Sequence, residues 1–194
     1  RISACLDALG GANYFSTLDL RSGFWQMALD PRDADKTAFI TRRGQFRFKV
    51  LSFGLANAPS LFQRIMDLVL AGLSWECCLV YVDDIIVFAK TLDEHVRLTQ
   101  VFERLQNAGL KLKPDKVKLF QRRVGFLGCI VSGEGIEPDP EKVRAVVDWP
   151  VPRSVGEVRS FIGLCSYYRG FIKDLSVVAA PLFDLTRKDA AFKW

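Results

Sequence analysis

The sequence has a single histidine and no long apolar run. His95 is the only histidine among 194 residues. A His-Cys zinc site or a Ser-His-Asp triad would therefore depend on one side chain, which lies among charged residues in a helical pattern. No apolar stretch approaches the roughly 20 residues that span a bilayer, and no signal peptide precedes Cys5. These absences argue against a zinc enzyme, a serine hydrolase and a membrane partner. The chain does not begin with methionine, so we expect a piece of a longer protein.

Cysteine usage gives no sign of a metal site or a disulfide framework. The five cysteines are an odd number without metal-type spacing, and Cys77 and Cys78 are adjacent. We therefore expect reduced thiols in a reducing compartment. The hydrophobic content of 49% is typical of a globular protein.

Positive charge is concentrated in one stretch of the chain. The net charge is +5, and the only acidic residue between positions 111 and 123 is Asp115. The basic residues of this stretch, called the basic stripe below, are Lys111, Lys113, Lys116, Lys118, Arg122 and Arg123. Such a stripe suits a polyanion. The alternative is a solvated charged face, the commoner meaning of a charge run.

Two adjacent aspartates, Asp83 and Asp84, stand between two short apolar runs at 79–82 and 85–88. Runs of β-branched and aromatic residues predict strands, and a two-residue link predicts a tight hairpin. Adjacent carboxylates in apolar surroundings repel each other, so a divalent cation would compensate them. The alternative is a solvated Asp-Asp turn.

The remaining pattern predicts an α+β domain followed by a small helical domain. Further strands are predicted over 14–20, 24–29, 46–50 and 124–131. Helices are predicted from the Asn57 cap to Gly72, from the Thr91 capping box to Gly109, and over 141–149, 155–172 and 177–186. Strands interleaved with helices and hairpins favour a ferredoxin-like split βαβ arrangement over 1–135, with a helical domain over 136–194.

Several ordered motifs resemble the reverse transcriptases of Gypsy/Ty3-type long-terminal-repeat retrotransposons. Tyr81-Val82-Asp83-Asp84 resembles the YxDD box of that family. The other matching stretches are 15–24 (first palm motif), 53–63 (second), 109–116 (the lysine-bearing motif), 126–128 (primer grip), and 148–150, 159–164 and 180–182 (thumb). The resemblance covers essentially the whole chain.

The resemblance implies a ferredoxin-like polymerase palm with part of the fingers over 1–135. It implies a thumb with the start of a connection over 136–194. The implied activity is RNA-directed DNA polymerisation, a nucleotidyl transfer that uses two Mg²⁺ ions, with Mn²⁺ as a substitute. Asp19, Asp83 and Asp84 would be the catalytic metal ligands, with Asp19 and Asp83 bridging and Asp84 supporting. Lys116 would either protonate pyrophosphate or bind phosphate, and the two roles stay open.

Further residues acquire roles only through the resemblance. On the nucleotide side these are Leu20, Phe24, Phe53 and Gly54. Phe24 would be the gate that excludes a ribose 2′-hydroxyl, the alternative being plain core. The residues implied to contact nucleic acid are Leu127, Gly128, Gly163 and Tyr167, the last two on one helix face. Gly163 and Tyr167 could equally be thumb core.

The implied partners are an RNA or DNA template–primer duplex, deoxynucleoside triphosphates, and the ribonuclease H and integrase regions of the same polyprotein. The implied location is the cytoplasm, in a virus-like particle. The family's earlier fingers strands are missing before position 1, so we expect the isolated fragment to be inactive. The alternative is a non-catalytic nucleic-acid-binding remnant of a decayed element. Retention of all three aspartates favours the polymerase, whereas the missing fingers favour the remnant.

Overall fold

A computed structural model describes residues 2–188 and 192–193. Its helices are α1 (Ile2–Asp7), α2 (Ala58–Val69), α3 (Leu92–His95), α4 (Leu98–Asn107), α5 (Pro140–Val147), α6 (Val155–Tyr167), α7 (Leu175–Val178) and α8 (Ala180–Asp184). Its strands are β1 (Tyr14–Asp19), β2 (Phe39–Thr41), β3 (Gly44–Phe46), β4 (Cys78–Tyr81), β5 (Asp84–Ala89), β6 (Lys118–Gln121), β7 (Arg123–Phe126), β8 (Cys129–Ser132) and β9 (Gly135–Pro138). Short 3-10 helices cover Gly23–Gln26, Ala34–Thr37, Pro114–Lys116 and Arg169–Phe171.

The chain divides into two compact units. The first contains the residues up to 127 together with 131–135, and the second contains 128–130 and the residues from 136 onward. The names palm and thumb for the stretches 1–135 and 136–194 stay predictions, and Trp194, in the predicted start of a connection, lies outside the described residues.

A four-stranded sheet in the order β4-β5-β1-β6 is the centre of the first unit. β5 pairs antiparallel with both β4 and β1, and β6 pairs antiparallel with β1. The consecutive residues Ile85, Ile86 and Val87 of β5 are all fully buried. Because neighbouring side chains of a strand point to opposite faces, both faces of the sheet are covered at β5. The predicted hairpin of β4 and β5 is confirmed.

Helices α2 and α4 supply apolar side chains to the core of this unit. Phe62 and Met66 of α2 and Val101 of α4 are fully buried in one cluster with residues of β4 and β5. Helix α2 begins after Asn57, as predicted, although the Asn57 side chain makes no capping bond. The Thr91 cap is confirmed, because its side chain accepts the Glu94 N–H at 3.3 Å.

Three strand predictions are wrong in extent or in kind. The stretch 24–29 is no strand, since Ser22 has a left-handed backbone (φ 52°) and the chain continues as the 3-10 helix Gly23–Gln26. The predicted strand 46–50 lies mostly outside β3, which ends at Phe46 and pairs with β2. The predicted strand 124–131 is two strands, because Leu127 (φ 49°) and Gly128 (φ 70°) form a left-handed turn.

The second unit is built mainly of helices. Helix α6 begins at a capping box in which Ser154 accepts the Glu157 N–H and the Glu157 carboxylate accepts the Arg153 N–H. The predicted helix 155–172 ends at Tyr167 and is followed by a short 3-10 helix. The predicted helix 177–186 is instead the pair α7 and α8, with Pro181 in the first turn of α8. Proline lacks an N–H, so it suits the start of a helix and not its interior.

The strands β7, β8 and β9 form a separate three-stranded sheet in that order. All five cysteines are free, as predicted, and Cys165 is the least buried of them. In the part of the chain that the structure describes, no helix has the length and apolar character needed to cross a membrane.

Candidate active site

Three aspartates lie at one end of the central sheet. Asp19 is the last residue of β1 and stands directly opposite Asp84, the first residue of β5. Directly opposed residues of an antiparallel pair carry their side chains on the same face, so these two carboxylates are neighbours. Asp83 belongs to the turn that joins β4 to β5. The turn residues are Val82 and Asp83, one position earlier than the predicted Asp83-Asp84 turn, and Val82 has a left-handed backbone (φ 54°).

The aspartates are electrostatically strained. Burial raises the pKa of the Asp83 carboxyl, and the charges of Asp19 and Asp84 raise it further. Burial and the Asp19 charge likewise raise the pKa of Asp84. Lys116 opposes both shifts, and its ammonium donates a hydrogen bond to Asp19 Oδ2 at 2.8 Å. That bond is the main reason why the pKa of Lys116 is raised. The cluster therefore carries more negative charge than its one nearby lysine neutralises.

Asp83 Oδ1 is buried and has no hydrogen-bond partner among the described residues. A buried polar atom without a partner is costly, and such atoms mark sites that bind something else. Gly23 makes room for it, since an ideal Cβ at Gly23 would lie 2.2 Å from Asp83 Oδ1 and 2.8 Å from Phe62 Cζ. Gly23 lies within the first palm motif, 15–24, and the motif match alone gives it no role. Its position four residues after Asp19 was the available signal.

A cavity of about 650 Å³ opens beside the cluster. Both carboxylates and cations line it; the lining residues are Asp19, Leu20, Arg21, Ser22, Asp83, Lys113, Pro114, Asp115 and Lys116. This arrangement can hold a cation against the carboxylates and an anionic phosphate group against the lysines.

The donor chemistry fits Mg²⁺ or Mn²⁺. Both ions prefer hard oxygen ligands, and the three carboxylates with the orphaned Asp83 oxygen supply them. The carboxylates of the three aspartates do not surround a single ion position. Within residues 2–188 and 192–193, no three His, Cys, Asp or Glu side chains are close enough to hold one ion. Lys116 lies at the Asp19 oxygen where a cation would bind.

The nucleotide-side residues of the prediction have mixed surroundings. The Leu20 side chain is buried, and its N–H donates to Asp83 O at 3.3 Å, so Leu20 reaches the cavity by its backbone. Phe24 is 7% exposed and packs against Phe62 and Phe53 with ring centroids 5.3 and 5.1 Å apart. Phe53 is exposed, and Gly54 has φ 87° with open space where a Cβ would lie. The core contacts of Phe24 are thus observed, and its gate role stays a prediction.

The nucleic-acid residues of the prediction lie outside this cluster. Leu127 follows β7, and Gly128 is close to two tyrosines: its ideal Cβ would lie 3.3 Å from Tyr168 Oη and 3.5 Å from the Tyr167 ring. Gly163 and Tyr167 are exposed on α6. The roles of all four predicted residues in binding nucleic acid stay predictions.

Gln63 of α2 is a site residue that the sequence reasoning missed. Its Oε1 accepts the Val82 N–H at 3.1 Å, and its Nε2 donates to Val80 O at 3.2 Å and to Asp67 Oδ1 at 3.0 Å. The amide thereby braces the turn that carries Asp83. Gln63 is the last residue of the second palm motif, 53–63, and the motif match alone gives it no role.

The single histidine lies away from this site, in the core. Ser16 Oγ and His95 Nε2 are 2.7 Å apart, and Ser16 Oγ also accepts the Phe120 N–H at 3.0 Å. His95 Nδ1 has no hydrogen-bond partner in the described residues, and burial lowers the pKa of this histidine. A triad would need a carboxylate at Nδ1. The pair is therefore a core contact.

The antiparallel sheet with carboxylates at one end, beside a cavity lined by both carboxylates and cations, is the arrangement expected of a polymerase palm. Residues 2–131 match the family described as reverse transcriptase (RNA-dependent DNA polymerase). The chain belongs to the reverse transcriptase family.

Curated proteins that are similar in sequence to this chain include transposon polyproteins. The chain is 47% identical over 187 residues to the retrovirus-related Pol polyprotein from transposon opus, and 44% identical over 187 residues to that from transposon gypsy, both of Drosophila melanogaster. Each match covers 96% of this chain and 19% or 18% of the relative. The chain thus spans about a fifth of the length of these relatives, which are of the predicted Gypsy/Ty3 type.

Solved structures confirm the α+β polymerase fold. The foamy viral protease-reverse transcriptase in complex with double-stranded DNA matches with a TM-score of 0.90 and 30% identity, over 100% of this chain and 34% of that chain. The same viral protein in complex with an RNA/DNA hybrid matches with a TM-score of 0.84 and 29% identity, over 97% of this chain and 26% of that one.

Proposed function

We propose that this chain is the catalytic palm, with a thumb, of an RNA-directed DNA polymerase that adds deoxynucleotides to a primer on an RNA or DNA template. The observation that carries the proposal is the cluster of Asp19, Asp83 and Asp84 beside a cavity lined by three cations, with a buried carboxylate oxygen that has no partner among the described residues. Nucleotidyl transfer needs charge neutralisation and alignment more than covalent chemistry from the protein.

The three aspartates would hold the divalent cations. When bound, two such ions lower the pKa of an attacking hydroxyl and stabilise the charge on the leaving oxygens. The chain's own residues supply the positions: Asp19 comes from β1, Asp84 from the partner strand, and Asp83 from the turn that Gln63 braces. Because Asp19 and Asp84 are strand ends and Asp83 lies in the two-residue turn between paired strands, the carboxylates are positioned by the sheet.

The cations of the cavity would hold the triphosphate. Lys113 precedes the 3-10 helix Pro114–Lys116 and Lys116 ends it, and Arg21 follows β1 on the cavity wall. Lys116 donates a hydrogen bond to Asp19. At a bound triphosphate this lysine would either donate a proton to pyrophosphate or bind the phosphate as a charge.

The proposed partners follow from the family. Deoxynucleoside triphosphates and a template–primer duplex are the substrates, and the titles of the two solved relatives name double-stranded DNA and an RNA/DNA hybrid for those proteins. The ribonuclease H and integrase regions of a polyprotein are proposed neighbours. A cytoplasmic virus-like particle is the proposed location.

Primer extension tests the function. The polyprotein segment that includes the upstream fingers should extend a DNA primer with deoxynucleotides and Mg²⁺ on both an RNA and a DNA template. Binding of the duplex with no extension on either template, by a folded protein, would instead identify a nucleic-acid-binding remnant. Extension on the DNA template alone would contradict the RNA-directed activity.

A further inference from the structure

The segment that carries Lys113 and Lys116 is joined to the end of β1 by a short backbone ladder. Lys113 N–H donates to Asp19 O at 2.8 Å, and Arg21 N–H donates to Lys111 O at 2.9 Å. These two bonds define an antiparallel bridge between Leu20 and Leu112. The ladder cannot continue, because Ser22 turns left-handed and the chain bends away into the 3-10 helix Gly23–Gln26.

The Gln26 side chain makes the hydrogen bonds that the next backbone residue of the ladder would otherwise make. Its Oε1 accepts the Lys111 N–H at 2.7 Å, and its Nε2 donates to Lys111 O at 3.0 Å and to Arg21 O at 2.8 Å. A primary amide has the donors and the acceptor of a peptide group, so it extends the ladder by one rung. These three hydrogen bonds all join the Gln26 side chain to backbone atoms. They therefore do not depend on which side chains occupy positions 21 and 111.

The same 3-10 helix carries residues of the candidate site. Gly23 accommodates Asp83, and Phe24 packs against Phe62. Gln26 therefore connects the 3-10 helix Gly23–Gln26, beside the carboxylates, to the 111–116 segment that carries the two cavity lysines. A shift of this segment would change where Lys116 stands against Asp19, now 2.8 Å away.

We propose that Gln26 is a positioning residue for nucleotide addition, which fixes the 111–116 segment so that Lys113 and Lys116 meet the phosphates at the carboxylate cluster. This inference rests on the proposed function. Gln26 acts through the lysines, so its loss should slow the chemical step and leave duplex binding unchanged. Misplacement of a catalytic group by about 1 Å can cost roughly 10²-fold in rate.

The first test uses the 194-residue chain and needs no activity. Hydrogen–deuterium exchange should show faster exchange over 109–117 in Gln26→Met, which keeps the side-chain length and removes the amide. Gln100→Met, on the exposed side of α4, is the matched control and should leave that segment unchanged. Unchanged exchange over 109–117 in Gln26→Met would overturn the proposal.

The second test uses the extension-competent segment with the upstream fingers. In single-turnover incorporation, Gln26→Met should lower the maximum rate about 10- to 100-fold with little change in duplex affinity. In a Lys116→Ala background the same substitution should lower the rate less than about 3-fold, because residues that act together are not additive. Equal losses in both backgrounds would assign Gln26 to general stability and overturn the proposal. Absence of extension by the unmodified segment would contradict the proposed function, whereas normal extension by Gln26→Met would contradict this inference alone.

Discussion

At the scale of single residues, the candidate site holds carboxylate charge in surroundings where that charge lowers the stability of the folded protein. Asp83 has a raised pKa and an oxygen without a partner among the described residues, and Gly23 leaves space where any side chain would collide with it. Strain of this kind concentrates at functional sites. Asp83 and Asp84 could be predicted from local sequence, since the YxDD match and the hairpin pattern lie within ten residues, and Asp19 came from the separate match over 15–24. The roles of Gly23 and Gln63 could not, because they arise from contacts between distant parts of the chain.

Asp83→Asn should stabilise the metal-free protein. The raised pKa means that ionised Asp83 disfavours the folded state at neutral pH, and that this penalty fades as the pH falls through the folded-state pKa. Removal of the charge should therefore raise the melting temperature at pH 7.5, by less than the roughly 2–4 °C that 1 kcal/mol is worth in a chain of this size, because solvent screens the partly exposed carboxyl. Thermal unfolding in EDTA measures it, with exposed Asp7→Asn as control. An unchanged or lower melting temperature for Asp83→Asn contradicts the strained-carboxylate account.

The Phe24→Val substitution distinguishes a role of Phe24 as the sugar gate from a role in core packing alone. If the ring bounds the sugar, the extension-competent variant should incorporate ribonucleotides much better while it keeps deoxynucleotide extension. Loss of the packing against Phe53 and Phe62 should also lower stability by about 2–4 kcal/mol. Incorporation assays with both nucleotide types decide the matter, since unchanged sugar discrimination would leave Phe24 as core alone.

At the scale of secondary-structure elements, the sequence predicted apolar strands and capped helices well and left-handed turns poorly. β1, the β4–β5 hairpin and α2 follow from alternation, apolar runs and a proline near the helix start. The strand predicted over 24–29 fails because Ser22 is left-handed, and a serine gives little warning of that conformation. Strand 124–131 breaks for the same reason at Leu127 and Gly128, where the glycine was the only local sign.

His95 ties three elements together and should make the fold sensitive to acid. It lies at the end of α3 and contacts Ser16 of β1, whose hydroxyl also holds the Phe120 N–H of β6. Burial lowers the histidine pKa, so the unfolded chain binds a proton below about pH 6.5 that the folded chain resists. Stability is unaffected above that pH and should fall below it.

Denaturant unfolding of the wild type and His95→Gln at pH 7.5 and 5.5 tests this point. The variant keeps a hydrogen-bonding side chain without a titrating ring, so it should lose less stability between the two pH values. The comparison is made between variants because Asp83 and Asp84, whose pKa values are raised, shift stability in the opposite direction in both proteins. Equal losses would exclude His95 as the cause.

At the scale of the whole molecule, charge and family membership point to nucleic acid. The net charge is +5, and the basic stripe includes the cavity-wall residues Lys113 and Lys116. The sequence identified the family, the α+β fold and the aspartates because those motifs are short and ordered along the chain. It did not reveal the Gln26 link, which joins residues 85 positions apart. Residue type alone does not encode such a contact.

The basic stripe should make duplex binding depend on salt. Each phosphate neutralised adds close to one unit to the salt slope, and backbone contacts carry no base information. Replacement of Lys118, Arg122 and Arg123 by Ala should flatten the slope by roughly one to three units on a short RNA–DNA hybrid. Fluorescence anisotropy measures this; an unchanged slope would exclude phosphate contacts for these side chains, among them Arg122, which stacks 3.7 Å over the Tyr14 ring.

The central claim is that Asp19, Asp83 and Asp84 form the cation site of nucleotide addition. The most direct measurement is the rate of single-nucleotide incorporation as Mg²⁺ is titrated, with the extension-competent segment, Asp83→Asn and the control Asp7→Asn. We predict that Asp83→Asn loses several orders of magnitude in rate at every Mg²⁺ concentration, because one lost ligand removes several kcal/mol of transition-state stabilisation. Asp7→Asn should match the unmodified protein. Incorporation by Asp83→Asn at a near-normal rate and with the same Mg²⁺ dependence would contradict the assignment.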